Sequence, residues 1–387
     1  MPALLVATGF GAALGLAFVS QAPNRLVSGV GVPLGAVLGA APGVLITALL
    51  LTVLVPTAAV FTRPTARSHA LVALASALLI ALLAALAGRH AAALAAASST
   101  PLARTSLGAG FWTLAVLCAL ACADALAALR WPNWARALAW AMACAPLAAL
   151  LAFGALDEVS LVKEYTMRRD VFGAAVLRHL QIVATSLAAT LLIGVPLGVA
   201  LYRHERVSRP VFAVLNVLQT VPSIALFGLL MVPLAALAAA LPLLARLGVS
   251  GVGLAPAVVA LTLYSLLPIV RSIDAGLRQV PAAALNAATG MGFTPRQRFW
   301  RIAVPLALPA LWAGLRVCTV QAIGLAVVAA LIGAGGLGAI VFQGLLGSAL
   351  DLVLLGVLPV VALAVLADAA FSVGAGLLPG ALRESRP

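Results

Sequence analysis

Runs of about 20 apolar residues recur along this chain, and most of its arginines fall in the short segments between them. A helix rises about 1.5 Å per residue, so a run of that length crosses the ~30 Å hydrocarbon layer of a bilayer. Inside lipid every backbone N–H and C=O must be bonded within the protein, which leaves such runs no choice but helix. The chain is 64% hydrophobic and 9% charged over 387 residues, against about a quarter charged in soluble domains. The reading is an all-α, polytopic membrane protein. About ten transmembrane helices are expected near 3–19, 35–60, 70–88, 108–129, 137–156, 179–202, 210–231, 252–271, 305–331 and 351–376. The second run holds Pro42 and Pro56 and is expected to kink or to begin late.

The net charge of +13 raises nucleic acid as a partner. The arginines are scattered through short loops, however, with none of the continuous basic face that nucleic acid requires. They read as topology. With the N-terminus and the 272–304 segment on one side, that side collects fifteen of the 23 Lys and Arg residues and is expected to be cytoplasmic, with both termini there. Cys118, Cys122, Cys144 and Cys318 all lie in apolar runs without a nearby His. They are expected to be buried core residues, and no metal site is expected. The N-terminus has no basic segment ahead of its first apolar run, so no cleavable signal peptide is expected.

Polar side chains are spread unevenly. The first five spans are rich in Ala and Leu. The later ones contain Asn216, Gln219, Thr220, Ser223, Tyr264, Gln321 and Gln343. Polar groups within spans are costly and usually face a bundle interior or a pathway, which places the working part in the second half.

Residues 281–305 are the densest group of positive charge and turn residues in that half. Pro281 suits the first turn of a helix, Ala282 to Ala288 are strong helix formers, and Gly290 and Gly292 end the helix and permit a reversal. Thr294 can cap a second helix with Pro295 at its first position. That helix, 295–303, is expected to be amphipathic, with Phe299 and Ile302 on one face and Pro305 marking a change of direction into the next span. An ordinary interfacial loop held at the headgroups by Trp300 and arginines would read the same way.

The same stretch resembles the coupling motif of ABC-type import permeases: Glu-Ala-Ala, three residues, Gly, nine residues, Ile, one residue, Leu-Pro. Ala287, Ala288, Gly292, Ile302 and Pro305 fall at matching positions, while Asn286 replaces the Glu and Val304 the Leu. Three further segments are similar to permeases for glycine betaine, choline and carnitine: Asn216-Val-Leu-Gln-Thr-Val-Pro-Ser223, Leu263-Tyr-Ser-Leu-Leu-Pro-Ile-Val-Arg271, and Ile332-Gly-Ala-Gly-Gly-Leu-Gly338 followed by Phe342-Gln-Gly344. The resemblance spans about 179 to 376, and the five preceding helices look like the longer branch of that osmoprotectant, quaternary-amine group.

The resemblance implies a type I importer core over 179–376, an N-terminal five-helix extension over 1–156, a periplasmic linker at 157–178 and a cytoplasmic tail at 377–387. It implies that Asn286, Ala287, Ala288, Met291, Gly292, Phe293 and Thr294 dock on a cytoplasmic ATPase. It further implies a pathway or gate at Asn216, Gln219, Thr220, Pro222, Ser223 and Tyr264, and a periplasmic turn at Gly335, Gly336 and Gly338 with Gln343. The partners would be ABC ATPase subunits, a periplasmic substrate-binding protein, a second permease subunit and membrane lipid, in a bacterial inner membrane.

Residues at the gate segment break backbone regularity, which is tolerated at membrane depth only inside protein or beside a water-filled cavity. A proline kink repaired by Ser and Thr would look the same. Tyr264 could offer its face to a quaternary ammonium through a cation–π contact. Arg316 and Asp368 could pair, or could each snorkel to the surface. His69, His90, His179 and His204 are isolated near span ends and are not expected to be ligands.

The chain's one lysine, Lys163, follows Val-Ser-Leu-Val, so the Gly-rich phosphate loop of an ATPase is missing. This chain is expected to bind no cofactor, and ATP with its Mg²⁺ would sit on a separate ATPase. The expected function is a non-enzymatic permease subunit for glycine betaine or a related quaternary amine. The alternatives are the same machine carrying another small solute such as an amino acid, or an ion-coupled secondary transporter built on Asp124 and Asp368. An intramembrane enzyme finds no His/Glu/Asp cluster or Ser–His pairing to rest on.

Overall fold

Proline alone does not end the apolar runs, since Pro146, Pro196, Pro233, Pro268, Pro309 and Pro359 lie inside helices. The computed structural model describes residues 8–376 apart from positions 10, 14, 25, 26, 28, 40, 42, 44–46, 48, 49, 51, 52, 59–64, 98–101 and 247. Eight helices among the described residues are long and apolar enough to cross a membrane. The expected spans 3–19 and 35–60 lie partly outside the described residues, and the tail 377–387 wholly so. The chain divides into two compact units, residues 1–168 with 347–352, and residues 169–346 with 353–387.

The first unit contains β1 (Ala17–Ala22), β2 (Val30–Pro33), α1 (Leu34–Gly39), α2 (Ala66–Ala97), β3 (Arg104–Leu107), α3 (Ala109–Ala128), α4 (Asn133–Ala152) and α5 (Ser160–Met167). Its strands form an antiparallel sheet in the order β2-β1-β3, with Ser20 opposite Gly31 on one side and Ser106 on the other. This sheet departs from an all-helical reading, and residues 17–19 are strand rather than the end of a span. The cause is long-range: β1 finds partners about ten and about 85 residues away, which no local periodicity reveals. Phe18 and Val19 are fully buried against α2 and α3, with the Phe18 and Phe111 rings edge to face at 5.8 Å. Cys118 and Cys122 are buried as expected, but Cys144 on α4 is exposed.

The second unit holds α6 (Arg169–Arg203), α7 (Glu205–Thr220), α8 (Ser223–Ala240), α9 (Pro242–Arg246), α10 (Leu254–Arg278), α11 (Ala282–Gly290), α12 (Pro295–Arg298), a π turn (Phe299–Ala303), α13 (Val304–Val328), a 3₁₀ turn (Ala329–Ile332), α14 (Leu337–Leu346) and α15 (Leu350–Ala375). The first three residues of α15 belong to the first unit. Helices α6, α10 and α13 form its centre, and small residues let them meet. A Cβ on Gly198 would lie 2.8 Å from Ile273 Cβ, and one on Gly276 would lie 2.8 Å from Ala310 Cβ. Without a hydrophobic drive between helices in lipid, such close backbone approach supplies the packing energy. Ser186 and Thr190 each donate to the carbonyl four residues earlier, at 2.7 Å, so they are buried without an unpaired hydroxyl.

Several span boundaries differ from expectation, among them that of α2, which runs to Ala97 where 88 was expected. Helix α6 starts at 169, ten residues early. The run 210–231 divides at Val221-Pro222, because proline forces the preceding residue out of the helical region and Val221 is extended at φ −68°, ψ 127°. The 295–303 helix does not turn at Pro305 but runs straight into α13 through the π turn. Val304 N–H donates to Phe299 C=O across five residues, and the widened turn falls just ahead of a proline that has no N–H to give.

Candidate functional site

The hairpin of α11 and α12 is built by its caps. Pro281 is the N-cap of α11, and Met291, Gly292 and Phe293 close its end by donating to Ala287, Thr289 and Ala288 carbonyls at 3.0 Å each. Gly292 has φ +80°, a conformation that costs an L side chain about 1–2 kcal/mol. Thr294 and Gln297 form a reciprocal capping box at the start of α12. Arg298 Nη1 then donates to Thr289 Oγ1 at 3.0 Å, tying the two arms together.

Of the residues expected to meet an ATPase, Asn286, Ala287, Met291, Gly292 and Thr294 are exposed, Phe293 is half-buried, and Ala288 is fully buried. Ala288 therefore packs the hairpin's interior and presents no surface. Leu285 and Phe299 join Val280 and Ala303 in the unit's hydrophobic core, which anchors the hairpin to α10 and α13.

The break between α7 and α8 is stitched to α10. Gln219 Nε2 donates to Tyr264 C=O at 2.7 Å, and Tyr264 Oη donates to Val221 C=O at 2.5 Å. Val221 C=O faces the break, so Tyr264 satisfies an acceptor that would otherwise be unpaired in an apolar setting. Tyr264 is 6% exposed, which removes the aromatic face the sequence offered to a cation. Thr220 bonds back to Val217 C=O, Asn216 Oδ1 accepts from Arg271 Nη2 at 3.1 Å, Pro222 caps α8 and Ser223 is half-buried at its first turn.

A groove of about 520 Å³ lies beside this break. Gln219, Arg271, Ser272, Gly314, Val317 and Gln321 are among its lining residues, and none of the lining residues is acidic. The sequence marked Gln219 and noted Gln321 as a polar residue in a span. It gave no sign that Arg271 and Ser272 would share a wall with them, because three helices bring them together.

The glycine turn follows α13. Gly333, Gly335 and Gly336 all have positive φ. Ile332 C=O accepts from Gly253 N–H at 2.7 Å, and Ala334 C=O accepts from Arg178 Nε at 2.9 Å. A Cβ on Gly336 would lie 3.3 Å from His179 Cα, and one on Gly338 would run into Val327 C=O. Gln343 is exposed on α14. The Arg178 clasp was invisible in sequence, where it looked like one more arginine flanking a span. His179 is fully buried with Nε2 3.1 Å from Ile323 C=O. Arg316 and Asp368 do pair, in a two-pronged bond of 2.6 and 2.8 Å. No group of three or more metal-ligating side chains occurs among the described residues.

Comparison with known proteins places two family models on the chain. Residues 1–162 match the N-terminal domain of the ABC transporter permease YehY, and residues 190–373 match the binding-protein-dependent transport system inner membrane component. The osmoprotectant import permease protein OsmW of Salmonella typhimurium is 40% identical over 191 residues, covering 49% of this chain and 84% of that one. The choline transport system permease protein OpuBB of Bacillus subtilis is 37% identical over 190 residues, covering 49% and 80%. The carnitine transport permease protein OpuCB of Listeria monocytogenes is 37% identical over 212 residues, covering 54% and 89%. Among solved structures, the inward-facing MetNI methionine ABC transporter aligns at 25% identity with a TM-score of 0.48, covering 54% of this chain and 96% of that one.

Proposed function

The chain belongs to the family of binding-protein-dependent permeases of type I ABC importers, and on that premise we propose that it carries glycine betaine or a related quaternary amine across a bacterial inner membrane. It is a transport component and not an enzyme. Permeases of this family work with an ATPase and a binding protein. The relatives' solutes, osmoprotectants, choline and carnitine, support the choice of solute.

The observation that carries the mechanism is the continuity of the hairpin with α13. The helix that starts at Pro295 as one arm of the hairpin also contributes Ala310, Ala313, Gly314, Val317 and Gln321 to the groove wall. A push on the exposed tip at Asn286, Ala287, Met291, Gly292 and Thr294 is thereby delivered to the groove without a flexible joint. ATP and its Mg²⁺ act on the partner ATPase, whose closure drives two such hairpins together, one from each of two permease subunits. Opening of the pathway then lets a periplasmic binding protein release its solute. Asn286, in place of an acid, keeps a hydrogen bond to the ATPase and gives up a charge pair. The hairpin side and both termini are cytoplasmic in this reading, and Gly335, Gly336 and Gly338 form the periplasmic turn.

The test is accumulation of labelled glycine betaine by cells expressing this chain with its ATPase and binding protein, against a control with an inactive ATPase. ATPase-dependent uptake is expected. ATPase co-purification without betaine uptake would refute the solute, and loss of both would refute the assembly. In the same assay Gly292→Leu should leave the chain in the membrane and the ATPase turning over, but reduce uptake about tenfold or more. Normal uptake by that variant would remove the hairpin from the mechanism.

A further inference from the structure

A second cavity, of about 650 Å³, lies between the end of α6 and the base of the hairpin, lined by Tyr202, Arg203, Leu285, Pro295, Arg296, Arg298, Phe299, Trp300 and Ala303. Three of its nine lining residues are arginines and none is acidic. Arg203 is stacked over the Phe299 ring at 4.8 Å, which orients its guanidinium without neutralising it. Arg298 is bonded to a neutral hydroxyl on Thr289. The carboxylates closest in sequence, Glu205 and Asp274, are both turned to Arg278, at 3.8 and 2.9 Å. Arg203 and Arg296 are exposed and Arg298 is half-buried, so three like charges crowd one concavity, and a negative group entering it would offset their repulsion.

We propose that this cavity binds the phosphate of an anionic lipid headgroup. Arg203 ends one spanning helix and the Pro295–Ala303 segment begins another, so the cavity lies where spans leave the membrane. Trp300, on the rim, is 60% exposed, and an exposed indole beside arginines fits the interface between acyl chains and headgroups. The planar arginine fork bonds phosphate oxygens in pairs. A soluble phosphate would satisfy the same charges, but it would have no use for the apolar rim. Occupancy would brace the hairpin against α6 and make coupling sensitive to the anionic lipid content of the membrane.

The test uses the full-length permease in nanodiscs containing phosphatidylglycerol or phosphatidylcholine with brominated acyl chains, which quench nearby indoles. The Trp300 component is taken as the difference between the wild type and Trp300→Phe. It should be quenched at a several-fold lower fraction of phosphatidylglycerol than of phosphatidylcholine. That preference should fall about fivefold for each of Arg203→Gln and Arg296→Gln. It should survive in Arg296→Lys and in the distant control Arg246→Gln, which guards against misfolding. Excess inorganic phosphate should not displace the lipid. Equal quenching by both lipids would overturn the proposal, as would displacement by inorganic phosphate, which would assign the cavity to a soluble anion. Loss of ATPase co-purification in the arginine variants with lipid preference intact would assign it to the protein interface instead.

Discussion

The two units of this chain hide polar groups in different places. In the first, among the described residues, the buried polar Arg104, Thr105, Ser160 and Glu164 gather in β3 and α5, beside the sheet, leaving only Ser76 buried within a long apolar helix. In the second, His179, Ser186, Thr190, Thr262, Ser265 and Thr319 are strung along the helices that cross. The first unit is thus an apolar bundle with a polar end. The second carries hydrogen-bonding groups through its length and accepts interruptions at Val221-Pro222 and at the glycine turn. A transporter needs that kind of interior, because a rigid apolar bundle offers a solute no polar surface.

The largest effects should come from filling close backbone approaches, and they should separate the units. Gly108→Val would drive a side chain into the Ala17 carbonyl, and Gly338→Val one into the Val327 carbonyl. Each should cost about 3 kcal/mol or more. Limited proteolysis should show the first variant opening residues 1–168 while 169–346 stays protected, and the second the reverse. Cleavage throughout both units in either variant would mean that they fold as one. A step smaller is Tyr264→Phe, which leaves Val221 C=O without its donor. Loss of about 1–3 kcal/mol is expected, read as a lower melting temperature in detergent, with uptake falling as the break loosens. An unchanged melting temperature would show that water already serves Val221. The smallest effect belongs to Thr294→Ala, which removes the capping box for about 1 kcal/mol. Faster hydrogen exchange confined to 282–298 should report it.

The same contrast explains what could be read in advance. Pro281, Gly290, Gly292, Thr294 and Pro295 announced the hairpin because capping and turn chemistry act over three or four residues. The apolar length of the later spans was legible for the same local reason. Gln219, Thr220 and Pro222 signalled irregularity, yet the apolar run continued across them and hid the division into α7 and α8. Strand β1 was illegible because its partners lie far along the chain. So were the Tyr264 bond to Val221 and the Arg178 bond to Ala334, each of which joins elements more than 40 residues apart. The motif resemblance grouped Ala288 with its neighbours, although one step along a helix turns a side chain by about 100°.

That angle also gives the π turn at Phe299–Ala303 a meaning beyond its bonding. An extra residue in one turn sets the rotational phase between everything before it and everything after it. Tightening that turn to ordinary helix with every residue kept would rotate the hairpin about the axis of α13 by a large part of the ~100° that separates neighbouring residues. The tip would keep its sequence, its caps and its anchoring helix, and would point the wrong way. The π turn is therefore a keyway: it fixes the azimuth at which the hairpin leaves the membrane.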